Sequence, residues 1–403
     1  MCSDVTELLA LAEAHAHVLG RARPLSAEVV PVAAAFGRVA AEDVRAVVDL
    51  PPFPSSAMDG YAVRARDLPG TLPVVGEVRA GGPAGRSLGA GEAMTISTGG
   101  VVPAGADAVV AVEDVVTRDN AVLIDRRIEV GLNVRPQGGD VGAGDVVVSA
   151  GTRITVAQLG ALAASGIADL RCARRPRVVV VATGSELVAP GSPLGAGQVY
   201  EANGAMLAAG LAVAGAEVES TATAADDDAA HRAALERGLS ADVLVTSGGV
   251  SVGPHDLVRR IERELGVEEV FWRVAIRPGR PVSFGVRGET LVFGLPGNPV
   301  SALVGCELFV KPALRALQGV SDSLPRFEQG RLTTPLRRNP RRDDFVRARA
   351  RAEADGTLLE PLPGQESHMI ARAAAANALV HVPRGEGELA ASGLAAWLRL
   401  DQP

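Results

Sequence analysis

The stretch Arg177–Leu187, RVVVVATGSEL, joins an apolar run to a turn rich in hydroxyls and glycine. Such a run of branched apolar residues predicts a strand that is covered on both faces. Helical and strand-like segments then alternate as far as Leu317, which predicts a parallel, doubly wound α/β domain. The predicted helices are VYEANGAMLAAGLAVAG, DDAAHRAALERGL, HDLVRRIEREL and VSALVGCELFVKPALRAL, and the predicted strands are AEVESTATA, ADVLV, EVFWRVAI, VSFGV and TLVFG.

The rest of the chain predicts an N-terminal helix and two β domains. A helical pattern runs from about Val5 to Leu19, and short strands with Gly and Pro turns fill the region from Leu50 to Asp140. Frequent turns between short strands favour a small β-barrel-like domain. The predicted boundaries are 1–20 for a helix packing on the α/β domain, 21–49 and 141–171 for a mixed linking domain, 50–140 for the β-rich domain, 172–320 for the α/β domain and 321–403 for a C-terminal β domain.

Composition excludes several classes of protein. The 403 residues carry a net charge of −7, which argues against general nucleic-acid binding, so an anionic ligand needs a local basic cluster. The three cysteines are far apart and form no CxxC motif, which argues against a disulfide framework or a Cys-rich zinc site. We expect no signal peptide and no membrane span, and a soluble cytoplasmic protein.

Lys311 is the only lysine, so nearly all cations of the chain are arginines. An arginine in a motif is therefore less informative here than in other chains.

The residues that follow the predicted strands carry most of the chemistry. In an open α/β sheet, ligands bind beyond the carboxyl ends of the strands. Glycine N–H groups and arginines suit phosphate, and carboxylates together with phosphate oxygens suit Mg²⁺. We therefore predict a site for a phosphorylated or nucleotide-containing anion handled with Mg²⁺. The residues concerned are Thr183, Gly184, Ser185 and Glu186; Asp226, Asp227 and Asp228; Thr246, Ser247, Gly248, Gly249, Ser251, Gly253 and Asp256; Arg273, just inside a strand, with Arg277, Gly279 and Arg280; and Pro296, Gly297, Asn298 and Pro299.

Each feature alone also has a purely structural interpretation. Gly-Ser loops often form tight turns, and Asp226–Asp228 precede a predicted helix that acidic residues would cap. Arg273 could pair with a neighbouring acid, and the Pro-Gly-Asn-Pro turn could serve only to end a strand. The six histidines show no metal-ligand spacing. The functional prediction depends on all of these features meeting at one edge.

Three stretches together carry a specific resemblance. SSAMDGYAV at 55–63, TSGGVSVG at 246–253 and GLPGNPVSA at 294–302 resemble the molybdopterin molybdenumtransferase family, of the bacterial MoeA type and the C-terminal domain of gephyrin. Supporting stretches are TGGVVPAGADAVVAVEDV, VRPQGGDV, AGTRI, VATGSEL, FWRVAIRPGRP and GQESHMIARAAAANALVHVP. These motifs occur in family order and span essentially the whole chain.

The resemblance implies an enzyme that inserts molybdate into adenylylated molybdopterin and releases AMP, with Mg²⁺ required. It also implies four domains, a homodimer with its cleft between subunits, and a molybdopterin adenylyltransferase as upstream partner. By their motifs, the family's functional residues fall on Asp59, Thr98, Asp140, Glu186, Asp226 and Asp256, of which Glu186, Asp226 and Asp256 are the candidate metal ligands. The candidate molybdopterin-binding residues are Thr183, Gly184, Ser185, Ser247, Gly248, Gly249, Ser251, Arg273, Arg277, Arg280, Pro296, Gly297, Asn298, Pro299 and Ser367.

Two departures from the family pattern bear on the chemistry. Members commonly have Lys where this chain has Arg273, Arg277 and Arg280, and Glu where it has Gly139. Arginine stays charged, so these positions would act by charge and hydrogen bonding and not as bases. The missing Glu leaves one carboxylate fewer beside Asp140, which weakens a metal role for that segment.

Asp59 and the overall activity both have alternatives. The Asp59-Gly60 pair alone indicates a turn, whereas the resemblance makes Asp59 a cleft residue that places Mg²⁺, molybdate or water near the dithiolene. A molybdopterin-binding scaffold without activity is the alternative to the enzyme, and retention of the family's carboxylates favours the enzyme. The adenylyltransferase of the same pathway is disfavoured because such chains are shorter and lack the extra β domains.

Overall fold

The computed structural model describes residues 8–82, 84–224, 228–249 and 257–400. The chain forms two compact units, one comprising Val29–Cys172 and the other comprising Met1–Glu28 and Ala173–Pro403. Among the described residues, no helix combines the length and hydrophobicity needed to cross a bilayer.

The first helix is shorter than its sequence pattern predicts. Helix α1 spans Leu11–Leu19, and the preceding residue Ala10 is extended, with its N–H donated to the Glu13 carboxylate at 3.1 Å. Ala14 and Val18 face inwards and pack into the core of the α/β domain. The expected beginning at Val5 lies outside the described residues, and the part from 8 to 10 is not helical.

The unit Val29–Cys172, called the central unit below, consists of short strands and, among its described residues, one α-helix. Its strands are β1 (Ala27–Pro31), β2 (Val44–Arg45), β3 (Ser55–Ser56), β4 (Gly60–Val63), β5 (Gly70–Val78), β6 (Ala93–Ile96), β7 (Ala108–Ala111), β8 (Val116–Arg118), β9 (Ala121–Ile124), β10 (Val134–Arg135), β11 (Val146–Val148) and β12 (Asp169–Ala173), with helix α2 at Val156–Ala164. Six strands form one curled sheet in the order β7-β4-β6-β5-β9-β8, and the others pair as β1-β12, β2-β11 and β3-β10. Thr155 caps α2 by accepting the Gln158 N–H, as a capping box does.

The other unit contains the predicted doubly wound sheet and its helices. The strands are β13 (Arg177–Thr183), β14 (Leu187–Val188), β15 (Val199–Tyr200), β16 (Glu217–Ala224), β17 (Val243–Ser247), β18 (Glu268–Trp272), β19 (Ile276–Arg277), β20 (Ser283–Arg287) and β21 (Thr290–Leu295). The helices are α3 (Asn203–Val213), α4 (Asp228–Gly238), α5 (Leu257–Glu264), α6 (Pro299–Gly305) and α7 (Lys311–Leu317), with a π-helical turn at Cys306–Val310 between the last two.

The sheet order is β16-β13-β17-β21-β20-β18. Strands β16, β13, β17 and β21 are parallel, but β20 and β18 are antiparallel, so the sheet is mixed at one edge.

The apolar run that predicts β13 is buried on both faces. Val178 and Val180 pack with α3 and with the helices after β21, whereas Val179 and Val181 pack with α4 and α5. Because successive side chains of a strand point to opposite faces, a strand covered on both sides must be apolar at every position.

The C-terminal region is a closed barrel. Its strands are β22 (Phe327–Leu332), β23 (Leu336–Arg337), β24 (Asp343–Glu353), β25 (Gly356–Pro361), β26 (Ala378–Val382), β27 (Glu388–Leu389) and β28 (Leu394–Arg399), with the short helix α8 at Ile370–Ala373. Five strands close in the order β24-β25-β22-β28-β26, because β26 pairs again with β24. Strand β19 of the preceding domain adds to β24 in parallel, with Arg277 opposite Asp344.

Candidate functional site

The carboxyl ends of three parallel strands meet at one edge, as the sequence predicts for an α/β sheet. Gly248, which follows β17, donates its N–H to Leu295 O at the end of β21, at 3.0 Å. A Cβ on Gly248 would lie 2.5 Å from Thr183 O at the end of β13, and its φ is +98°. Glycine is therefore required here, because no other residue lets the loops approach this closely.

Asn203 at the start of α3 ties two of these loops together. Its Nδ2 donates to Ser247 Oγ at 2.8 Å and to Gly297 O at 2.7 Å. The side chain is buried, and its Oδ1 has no hydrogen-bond partner. Sequence reasoning missed this residue because it falls inside a segment predicted only as helix; an Asn directly before Gly at a helix start was the available signal.

The turn after β21 follows the predicted pattern closely. Pro296 O lies 3.4 Å from Ser247 Oγ, Asn298 is the N-cap residue of α6, and Pro299 occupies the first turn of that helix. A proline suits this position because its missing N–H would have no partner there in any case.

An arginine cluster surrounds one buried carboxylate at the junction with the barrel. Arg277 Nη2 contacts Asp344 Oδ2 at 2.6 Å, and the Asp344 side chain is only 4% exposed. Burial lowers the pKa of Arg342, and the neighbouring charges of Arg277 and Arg280 lower it further. Among the described residues, the buried carboxylate of Asp344 pairs with Arg277 and no ion pair involves Arg280. Positive charge is thus in excess near Arg277 and Arg280, which the sequence predicts to bind an anion. Arg342 and Asp344 were not among the predicted site residues, because DDFVRARAR has the pattern of an ordinary strand.

The predicted strand EVFWRVAI is broken at Arg273. Strand β18 ends at Trp272, Arg273 adopts a left-handed φ of +74°, and the chain resumes as β19 in a different sheet. The expectation that Arg273 lies inside a strand is wrong at this point, because Arg273 sits at the sharp bend between the two sheets. Its guanidinium carbon lies 3.7 Å from the centre of the Trp272 ring.

A buried arginine holds the loop that carries Ser367 through hydrogen bonds to its backbone. Arg347 is 2% exposed and donates to Gly364 O at 2.7 Å, Glu366 O at 3.2 Å and Met369 O at 2.9 Å. Ser367 O in turn accepts the N–H of Val300 in α6 at 3.1 Å. The barrel loop is therefore fixed against the helix that follows the Pro-Gly-Asn-Pro turn. Sequence reasoning missed Arg347 because it alternates with other arginines in a strand.

Of the three candidate metal ligands, only Glu186 belongs to the described part of the chain. Asp226 and Asp256, like the candidate binding residue Ser251, lie outside the described residues. Glu186 is exposed, and its Oε2 would lie 2.6 Å from a Cβ on Gly184. The described residues contain no group of three or more His, Cys, Asp or Glu side chains that would hold a metal ion. Ser185, exposed beside Glu186, completes this turn.

Gly249 is the second glycine of the loop after β17. It has a φ of +65°, and a Cβ there would lie 2.4 Å from Val258 Cγ2. The buried hydroxyl of Thr183 lies 3.4 Å from Ser247 O. The glycines and hydroxyls of the predicted loops thus form one packed edge among the described residues.

In the central unit, Asp59 and Thr98 meet. The Thr98 N–H donates to Asp59 Oδ1 at 2.7 Å, and a cavity of about 230 Å³ opens beside Asp59 between Tyr61, Glu77 and Thr95. Gly60 begins strand β4, where a Cβ would lie 2.0 Å from Val110 O. The Asp-Gly pair thus leads from a bend at 57–59 into strand β4, and the glycine is required by close packing.

Asp140 is exposed, and its backbone N–H donates to Leu50 O at 2.9 Å. A Cβ on the preceding Gly139 would lie 3.0 Å from Pro136 Cγ and 3.1 Å from Pro136 O. A larger residue at 139 therefore requires a small local shift of the turn.

Comparisons with known proteins agree over the length of the chain. Models for the MoeA N-terminal region (domain I and II), the probable molybdopterin binding domain and the MoeA C-terminal region (domain IV) match residues 9–166, 179–316 and 329–395. Molybdopterin molybdenumtransferase 2 of Mycobacterium tuberculosis is 40% identical over 391 residues, covering 93% of this chain and 95% of the relative. The chain belongs to the molybdopterin molybdenumtransferase family.

Other members of the molybdopterin molybdenumtransferase family are similar over comparable lengths. The enzyme of Haemophilus influenzae is 35% identical over 374 residues, with 91% of this chain and 92% of the relative covered. Two solved structures of MoeA proteins from Pyrococcus horikoshii are 32% and 27% identical and have TM-scores of 0.81 and 0.84. Each covers 98% of this chain and 100% of the other, so family membership and fold agree.

Proposed function

We propose that this chain inserts molybdate into adenylylated molybdopterin and releases AMP. Its family makes it a transferase of molybdenum cofactor biosynthesis that inserts molybdenum into molybdopterin. Two observations carry the finer proposal: glycine loops meet at the carboxyl edge of the α/β sheet, and arginines exceed their carboxylate partners after β18, at the junction with the barrel. Such an edge suits a substrate with phosphate groups at one end and a second oxyanion nearby.

The chain's own residues would bind and orient the substrate. N–H groups of the loops after β13 and β17 would hold phosphate oxygens, and the guanidinium groups of Arg273, Arg277 and Arg280 would neutralise charge. These arginines act as permanent cations and do not move protons. Arg277 is already oriented by Asp344, so its position is set before an anion arrives.

We propose Mg²⁺ as the metal of the reaction, bound through Glu186, Asp226 and Asp256 together with phosphate oxygens. The donor set fits, because Mg²⁺ prefers oxygen ligands and commonly takes one or two carboxylates plus substrate phosphates. Glu186 supports this assignment, since its carboxylate is exposed and forms no ion pair with a cation of the described residues. When bound, the metal would supply charge neutralisation at the phosphates. A full yield of AMP in excess chelator would contradict a requirement for Mg²⁺.

We also propose that the enzyme is a homodimer supplied with substrate by a molybdopterin adenylyltransferase. Asp59 and Thr98 belong to one compact unit and Glu186 to the other, so complementation tests how they combine. Asp59→Asn and Glu186→Gln should each fold and lose nearly all turnover. If subunits each contribute half of a site, mixing the two variants should restore about a quarter of wild-type activity. No recovery after demonstrated subunit exchange would contradict a shared site.

The decisive assay measures AMP released from adenylylated molybdopterin with and without molybdate. We expect release that depends on molybdate, together with formation of molybdenum-loaded molybdopterin. Tight binding of the adenylylated substrate without AMP release under any condition would instead indicate a molybdopterin-binding scaffold.

A further inference from the structure

The indole of Trp272 is in contact with two guanidinium groups. The guanidinium carbons of Arg273 and Arg259 are 3.7 Å and 4.0 Å from the ring centre. Each such contact is stabilising because the ring face attracts a cation.

The contact on the Arg273 side depends on an unusual backbone. In a regular strand, neighbouring side chains point to opposite faces, so Arg273 could not lie over the ring of Trp272. The left-handed φ of +74° at Arg273 turns its side chain back over that ring. This conformation costs free energy in a residue with a Cβ, and such outliers are frequent at functional sites. Backbone hydrogen bonds from Arg273 N to Val282 O and from Leu9 N to Arg273 O hold the bend.

The guanidinium of Arg273 keeps its donors available. Its Nε is buried and has no hydrogen-bond partner. Neither terminal nitrogen donates to any described residue, and the side chain belongs to a partly exposed residue. Arg273 therefore presents two parallel donors in a fixed plane, as a bidentate oxyanion ligand requires.

The second guanidinium in contact with Trp272 is held by an ion pair. Arg259, in α5, contacts both carboxylate oxygens of Glu269 through its Nε and Nη2, at 2.9 Å each. The Arg259 side chain is 17% exposed, whereas that of Glu269 is 36% exposed. A continuous series of contacts thus leads from α5 to the bend after β18. It consists of Glu269, Arg259, Trp272 and Arg273.

A second arginine–tryptophan contact shows what is particular to this series. Arg399 lies 4.8 Å from the centre of the Trp397 ring, in the barrel. Its Nε and Nη2 are both taken by Glu328, at 3.3 Å and 3.2 Å. Arg399 is therefore neutralised where it stacks, whereas Arg273 has no described carboxylate partner.

We propose that Trp272 and Arg259 are positioning residues for Arg273, which they hold in the orientation that binds an oxyanion of the substrate. This inference rests on the proposed function, because it takes Arg273 as a ligand of the substrate's phosphate end. The stack restricts the rotation of the guanidinium, so less conformational entropy is lost when the anion binds.

Binding of inorganic pyrophosphate to the full chain, measured by isothermal titration calorimetry, tests the proposal. Trp272→Leu should weaken binding about tenfold and Arg259→Ala about threefold. Trp272→Phe keeps an aromatic face and should stay within about twofold of wild type. Arg399→Ala is the matched control and should change nothing. In the transferase assay, Trp272→Leu should raise KM for the adenylylated substrate and leave kcat nearly unchanged.

Fluorescence provides a readout that a purely structural role would not move. The chain has two tryptophans, so Trp397→Phe leaves Trp272 as the sole emitter. Pyrophosphate should then change the emission in a saturable way, and Arg273→Ala in the same background should abolish the change. Thermal unfolding of each variant shows whether it is folded.

The outcomes distinguish failure of the positioning role from failure of the proposed function. Wild-type affinity in Trp272→Leu, with weak binding in Arg273→Ala, would refute the positioning role and leave the proposed function intact. Wild-type affinity in Arg273→Ala, or no pyrophosphate binding by the unaltered chain, would refute the inference because Arg273 would then not bind the anion. The transferase function itself is judged separately by AMP release.

Discussion

Asp242 and Asp344 are both largely buried aspartates beside arginines, yet they differ in how many donors reach them. Asp242 precedes β17 at the amino end of the sheet and accepts from Arg174 Nη1 and Nη2 at 2.7 and 2.8 Å and from Arg177 N at 2.7 Å. Within the described part of the chain, the Asp344 carboxylate forms one ion pair, to Arg277 at 2.6 Å, and its Oδ1 is buried without a hydrogen-bond partner.

The pKa values of the two carboxyls move in opposite directions. Burial acts to raise the pKa of Asp242, but hydrogen bonds from Arg174 and from the Arg177 N–H outweigh it, and the pKa is lowered. At Asp344 burial prevails over the attraction of Arg277 and Arg342, and the pKa is raised. The amino end of the sheet thus uses its arginines for internal pairing, whereas the carboxyl end leaves binding capacity for a ligand.

Replacing Arg277 at the carboxyl end of the sheet or Arg174 at its amino end should give the largest difference in activity between two variants. Arg277→Ala should lower kcat/KM by about 100-fold, because it removes a fixed cation from the proposed anion site. Arg277→Lys and Arg280→Lys keep the charge and should retain substantial activity. Arg174→Ala should leave kcat/KM nearly unchanged and lower the free energy of unfolding. Steady-state AMP release measures the first effect, and the comparison fails if Arg174→Ala is as inactive as Arg277→Ala.

If the Lys variants prove as inactive as Ala, the bidentate geometry of arginine is required and charge alone does not suffice.

Removing each carboxylate charge should affect stability unequally. Asp242→Asn should lower the free energy of unfolding by about 2 kcal/mol, because two guanidinium hydrogen bonds lose their charged acceptor. Asp344→Asn should change it by less than about 1 kcal/mol, since a neutral amide is easier to bury than an incompletely paired carboxylate. Urea unfolding at neutral pH measures both, and an equal loss in the two variants would contradict the comparison.

The contributions of Asp242 and Asp344 to the free energy of unfolding should change with pH in opposite directions. A lowered folded pKa means that the contribution of Asp242 is present above the ordinary carboxyl pKa and is lost as pH falls through the folded value. The advantage of wild type over Asp242→Asn should therefore shrink below about pH 4.

A raised folded pKa means that the contribution of Asp344 is present below the ordinary value and is lost as pH rises through the folded value. Wild type should therefore lose stability relative to Asp344→Asn as pH rises above about 4. Midpoints of thermal unfolding between pH 3 and 7 measure both trends, and a shift in the same direction for both variants would contradict this assignment.

The smallest effect is expected at Arg177. Its side chain is 44% exposed, and its Nε lies 3.9 Å from Asp242 Oδ2, whereas the donor that matters to Asp242 is its backbone N–H. Arg177→Ala keeps that N–H and should change the free energy of unfolding by no more than about 0.5 kcal/mol. A loss as large as that of Arg174→Ala, in the same urea titration, would assign the pairing to the Arg177 side chain.

The local sequence pattern was sufficient to predict the secondary-structure elements and the residue types at the carboxyl edge of the sheet. The apolar run Arg177–Thr183 predicts a strand covered on both faces, and β13 has this environment because every position of such a strand must be buried. Loops after parallel strands necessarily meet at one edge, so the sequence alone is sufficient to group Thr183, Ser247 and Pro296. The predicted helix starting at Val5 was less accurate, because ends of helices depend on contacts outside the helix.

The sequence of this protein specifies its family, its alternation of strands and helices, and the residue types at the carboxyl edge, because these follow from nearest-neighbour periodicity and from contiguous motifs. Tertiary structure decided the rest. It broke EVFWRVAI at Arg273, set Asp344 against Arg277, and placed Arg347 under the Ser367 loop. Those contacts join residues from separate elements, so their partners depend on the folded backbone and are not visible in any local pattern.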